Sequence, residues 1–109
     1  MSTLVGLFLI AHGLVHIAVW VAPQPPDAPF DSHRSWLFGH FGAASRALAI
    51  VACALLVVAG ALVLSGAELG PPLAIAGAGV SLALTVATFH LWFIAAVAIN
   101  VAIIVVALG

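Results

Sequence analysis

Residues 71–109 read PPLAIAGAGVSLALTVATFHLWFIAAVAINVAIIVVALG, a segment without a single Asp, Glu, Lys or Arg. As one straight α-helix it would run about 58 Å, against a bilayer hydrocarbon layer of about 30 Å. A membrane-embedded segment of this length has to fold back. Thr88 and His90, on either side of Phe89, are the only local polar interruptions, and no Gly or Pro lies between Val80 and Leu108. Two helices are expected, near 71–88 and 90–108, with a tight turn at Thr88–His90.

Upstream, residues 1–26 and 47–67 are also free of charged side chains. Each can hold one spanning helix of about 20 residues, near 3–22 and 45–66. Hydrophobic residues make up 66% of the 109, and only Asp27, Asp31, Arg34, Arg46 and Glu68 are charged. A soluble domain carries about 25% charged residues and could not cover its surface with the 5% present here. That composition excludes an ordinary cytosolic enzyme and a disordered tail. Two Arg and no Lys exclude a nucleic-acid partner. The expected fold is all-α: an integral membrane four-helix bundle of two helical hairpins, forming one domain over residues 1–109. The apolar runs are continuous rather than alternating, which points to helices and not to a β-barrel. The first span lacks a basic leader and a small-residue cleavage site, and is expected to be retained.

Pro23, Pro25, Pro26 and Pro29 end the first helix and hold an extended segment. Asp31 or Ser32 can then cap a short interfacial helix over Arg34–Phe41, whose Trp36, Phe38 and Phe41 suit the lipid–water boundary. Trp20 and Trp92 are expected near the same boundary. Residues 66–72 form the second loop, with Pro71 and Pro72 in the first turn of span three. Both arginines flank the first loop. The positive-inside rule then puts that loop in the cytoplasm, in an inner or plasma membrane of bacterial type.

Small residues recur four apart: Ala43/Ala47, Ala74/Ala78, Gly77/Ser81/Thr85, Gly79/Ala83/Ala87 and Ala98/Ala102. This spacing lets helices approach closely, within the bundle or across a homo-oligomer contact. The lone Cys53 is read as packing, and Arg46 as a snorkelling anchor.

Polar residues inside the spans carry what functional information there is. His12 and His16 are four apart, so both imidazoles share one helical face. Ser81, Thr85 and Asn100 fall at similar depths by residue count, and buried polar groups in spans usually face the interior and mark function. His12, His16, Ser81, Thr85 and Asn100 are therefore the candidate ligand-binding set. His12 and His16 could also chelate a metal ion if His90 or His40 completed the site. A haem needs two histidines at equal depth on different helices, and His90 lies about 9 Å nearer the surface than His16. Proton relay, quinone or lipid binding, and purely structural hydrogen bonding are the other readings. The cofactors in view are thus a metal ion, a quinone or a haem. No Ser-His-Asp order, paired intramembrane carboxylates or phosphate loop is present, so no catalytic residue is assigned.

The stretch Leu7-Phe8-Leu9-Ile10-Ala11-His12-Gly13-Leu14 resembles the first span of DoxX-like membrane proteins, small four-helix proteins with an F-L-x-x-H-G-L run. The resemblance covers about one-fifth of the chain. His16 stands where the family commonly has Lys, and the family's Arg before the first span and acidic residue in the second have no counterpart. Some members are linked to quinone-coupled or redox membrane complexes. The resemblance thus implies an accessory subunit or a small-molecule or quinone-binding bundle, with His12 as the polar residue carried over. The alternatives are a metal-binding or transport module around His12 and His16, and a structural assembly protein embedded in lipid.

Overall fold

The structure, a computed structural model, describes residues 3–24, 26–28, 31–90 and 93–109. Pro25, Pro29 and Trp92, named above as breakers and as a boundary residue, lie outside them. Four helices carry the fold: α1 (Thr3–His16), α2 (Gly42–Leu64), α3 (Gly70–Ala87) and α4 (Ile94–Leu108). A π-helical turn over Ile17–Val21 prolongs α1. It is closed by Ala22 N–H donating to the Ile17 carbonyl at 2.8 Å. Ala22 is then extended, as the residue before a proline tends to be. Pro71 and Pro72 occupy the first turn of α3, where a missing N–H costs no helical bond.

Thr3–Val21, Gly42–Leu64 and Gly70–Ala87 are long and apolar enough to cross a membrane, whereas α4, with 15 residues, is shorter. The break in the uncharged segment falls where Thr88 interrupts it. The Thr88 N–H and Oγ1–H both turn back to the Leu84 carbonyl, at 3.0 and 2.9 Å. The helix resumes only after Phe93.

Each helix packs on the one before it, α1 on α2, α2 on α3 and α3 on α4, but α1 and α4 are not closely packed. Leu9, Leu56, Ala59, Val63, Ala74, Ala78 and Ile103 form one core cluster; Trp20, Ala49, Leu84 and Phe93 form a second. Ala74, Ala78, Gly77, Ser81 and Thr85 are buried as their spacing suggests. Gly79, Ala83, Ala98, Ala102, Ala43 and Ala47 instead face outward. The interior also holds His12, His16, Ser45, Thr88 and Asn100, while Leu4, Leu7, Leu14, Trp36, Ile94 and Val105 are more than half exposed. Polar groups inside and large apolar groups outside invert the usual arrangement of a soluble domain.

The segment expected to be an interfacial helix is instead a small β-hairpin. Strands β1 (Arg34–Ser35) and β2 (Gly39–His40) pair antiparallel, and Phe41 N–H reaches the His33 carbonyl at 2.9 Å. Local side chains decide this. Asp31 accepts from His33 N–H at 2.9 Å, an Asx turn rather than a helix cap. Ser35 Oγ accepts from Leu37 N–H and Phe38 N–H, at 3.1 and 3.0 Å, removing both from helical bonding. Gly39 has φ +73°, which reverses the chain where a residue with a side chain would be strained. Trp36 leaves the tip to donate Nε1–H to the Val86 carbonyl at the end of α3, at 2.6 Å. Gly39→Val is expected to cost roughly 1–2 kcal/mol and to be felt locally. The loop should become more sensitive to limited proteolysis in intact protein while the helical circular dichroism is unchanged.

Candidate ligand site in the cleft between the first and last helices

His12 and His16 lie on the α1 face turned to α3 and α4, and the cross-helix bonds confirm the shared face. His12 Nε2 is 2.9 Å from Asn100 Oδ1. Asn100 donates Nδ2–H to Ser81 Oγ at 2.8 Å. His16 Nε2 lies 2.6 Å from Ser81 Oγ, and His16 Nδ1 lies 2.9 Å from the His12 carbonyl oxygen. Three helices thus meet in four hydrogen bonds that begin and end on His12.

The directions of these bonds follow from one anchor. A carbonyl oxygen only accepts, so His16 carries its proton on Nδ1. No carboxylate belongs to any of the helices: Asp27, Asp31 and Glu68 are all in loops. With neutral rings, His16 Nε2 is then an acceptor and Ser81 Oγ–H donates to it. The Ser81 oxygen accepts from Asn100, and His12 donates Nε2–H to Asn100 Oδ1. This assignment satisfies every bond in the cycle.

A column of rings runs beside the polar cycle. Phe8 stacks on His12 with centroids 5.8 Å apart, His12 meets His16 edge-on at 5.1 Å, His16 stacks on Trp20 at 5.3 Å, and Trp20 tilts against Phe93 at 5.4 Å. The first four are spaced by four residues, one per turn along α1. Trp20 is held at the end of the column, donating Nε1–H to Thr88 Oγ1 at 3.2 Å. It is 3% exposed, its indole packed inside the bundle. The carbonyl of Trp20 is capped by His33 Nε2–H at 2.7 Å.

Because α1 and α4 do not close on each other, a cleft of about 410 Å³ opens between them. One wall holds Phe8 and Val15 of α1 with Trp20 of the π-helical turn, the other Phe93 and, on α4, Ala96 and Ile99, and His12, His16 and Ser81 supply its polar groups. A second cavity of about 160 Å³ adjoins it past Phe8 and Ile99, toward Val5 and Val106. Concave sites of a few hundred Å³ with apolar walls and a few polar groups are the usual form of small-molecule pockets.

Of the five candidate ligand residues, His12, His16, Ser81 and Asn100 are brought together. Thr85 is not part of the cycle: buried, it donates Oγ1–H to the Ser81 carbonyl at 2.7 Å. The four-histidine metal set is not assembled. Among the described residues no three of His, Cys, Asp and Glu are grouped to hold a metal ion. His40 is exposed on β2 and His90 sits with Arg34 and Trp36 at another cavity. Both Nε2 atoms of the α1 pair are engaged with Asn100 and Ser81, and His12 and His16 share one helix, so no two-helix haem ligation is formed from them. The sequence reading missed the roles of Phe8, Trp20, Phe93 and Ala96. The four-residue spacing of Phe8, His12, His16 and Trp20 was the signal for the first two. No family model, curated protein or solved structure matches the chain.

Proposed function

We propose that this chain is a small integral membrane protein that binds a lipid-soluble ring compound, such as a quinone, in the cleft between α1 and α4, as a binding bundle or accessory subunit of a membrane complex. The observation that carries this reading is a side opening with apolar walls over a polar floor. In a bilayer that opening faces acyl chains, so a hydrophobic molecule can enter without crossing water. The longest dimension of the protein, 41 Å, suits a bilayer of about 40–45 Å including headgroups. The inverted distribution of polar and apolar side chains favours the same setting.

Two measurements test it. The protein should remain with membranes after alkaline carbonate extraction. Organic extraction and mass spectrometry of the purified protein should recover a hydrophobic compound that is depleted at least fivefold in Ala96→Phe, whose ring would fill the cleft from the α4 wall. Equal recovery from both proteins, with both folded by circular dichroism, would leave the polar cycle as a structural device that holds three helices together.

A further inference from the structure

The hydrogen-bond cycle also dictates which polar group a ligand has to bring, an inference that rests on the cleft being a binding site. His16 uses both ring nitrogens, Ser81 both donates and accepts, and Asn100 uses its oxygen and its amino group. His12 spends only Nε2–H, on Asn100. In a neutral ring with its proton on Nε2, Nδ1 is a lone-pair acceptor, and no hydrogen bond in the cycle uses it. Nor is that nitrogen sealed in: the fully enclosed side-chain polar atom without a partner among the described residues is Ser32 Oγ, in the first loop. His12 lines the cleft and retains 9% exposure, so its open nitrogen is reached from there.

We infer that the cleft selects hydroxyl-bearing ligands on an apolar body (phenols, alcohols or, within the quinone class, the reduced hydroquinone) over ligands that present only an acceptor, such as an ether or the carbonyls of the oxidised quinone. A hydroxyl donates to His12 Nδ1 and completes the ring's hydrogen bonding. An acceptor-only oxygen sets lone pair against lone pair. His12 cannot simply exchange tautomers to suit it, because a proton moved to Nδ1 leaves Nε2 facing Asn100 Oδ1. Turning the amide over to repair that contact would have Ser81 donate to Asn100, and His16 would then face Ser81 with no donor to accept from. Recognition of the head group is thereby coupled to residues on α3 and α4 that the ligand does not touch. Apolar walls and the adjoining cavity past Phe8 and Ile99 leave room for the ligand's apolar remainder.

The probes are para-octylphenol and its methyl ether, para-octylanisole, which share the octylphenyl body and differ in that a methyl group replaces the hydroxyl donor. Each is titrated calorimetrically into the detergent-solubilised protein, with Ala96→Phe as the reference that subtracts micelle partitioning. The phenol is expected to bind about tenfold more tightly than the ether, the worth of one hydrogen bond to an otherwise open acceptor. In the double variant His12→Phe with Asn100→Leu, which removes the nitrogen and its partner together, the two affinities should converge. Equal or tighter binding of the ether by the unmodified protein overturns the donor requirement while leaving the cleft as a binding site. A phenol preference that survives in a folded double variant also overturns it, since another group would then read the hydroxyl. If neither probe binds the unmodified protein above the Ala96→Phe reference, the cleft reading fails, and this inference with it. Should the double variant not fold, the comparison in the unmodified protein decides alone.

Discussion

Asn100→Leu is expected to destabilise the protein by about 2–4 kcal/mol in detergent. Leu keeps the branched outline of Asn and is the bulkier of the two, so the change removes hydrogen bonds without opening a cavity. Two bonds are lost, to His12 and to Ser81, and bonds between helices in lipid are worth about 0.6–2 kcal/mol each. The His12 Nε2–H is also left without an acceptor at a site where Asn100 itself is fully buried, and a stranded buried donor costs about 1–3 kcal/mol. The measurement is reversible unfolding monitored by circular dichroism. A double-mutant cycle gives the sharper reading: His12→Phe should cost markedly less on the Asn100→Leu background than alone, because its partner is already gone. Additive effects would show that the pair is not coupled and that the cycle contributes little to stability.

Gly60→Ala is expected to cost about 1–3 kcal/mol, the range for forcing extra atoms into a packed interior. A Cβ at residue 60 would lie 2.6 Å from the Gly6 carbonyl oxygen and 2.7 Å from Ile10 Cγ1. The oxygen is main chain and cannot rotate away, so α1 and α2 would have to separate. That separation would be felt along α1, which carries His12, His16 and the wall of the cleft. Gly79→Ala is the control. A Cβ there meets nothing within 4 Å, and replacing a helix-interior glycine by alanine is worth roughly 0.5–1 kcal/mol in the favourable direction. A melting temperature unchanged in Gly60→Ala, or lowered as much in Gly79→Ala, would remove the close crossing of α1 and α2 as a determinant of the fold.

The contrast between those glycines shows where one-dimensional reading stops. Gly79 belongs to a regular stripe with Ala83 and Ala87, the pattern that suggests close packing, yet it faces outward. Gly6 and Gly60 belong to no such stripe, yet among the glycines it is a Cβ on Gly60 that would meet main chain most closely, at the Gly6 carbonyl. Spacing reports which residues share a helical face. It does not report which face meets another helix, because that depends on the rotation of each helix about its axis.

What the sequence determined by itself was set by composition and period. Long charge-free runs called for apolar helices, and the uncharged segment 71–109, too long for one span, called for a break within it. Thr88, with His90 the only polar interruption nearby, marked where the break falls. The pair His12 and His16, four apart, had to share a face, and at the depth of Ser81 and Asn100 they had partners within reach. Tertiary structure alone decided the rest. It showed that Asn100 and Ser81 turn toward the histidines while Thr85 bonds within its own helix, that Trp20 joins a ring column inside the bundle, and that Asp31, Ser35 and Gly39 make a hairpin where aromatic content suggested a helix. It also left α1 and α4 apart, which is what makes a cleft. The physical reason is common to all of these. Local propensity and periodicity are properties of neighbours along the chain, whereas helix rotation, helix separation and the direction of each hydrogen bond are set by groups up to 88 positions apart that meet only once the bundle has formed.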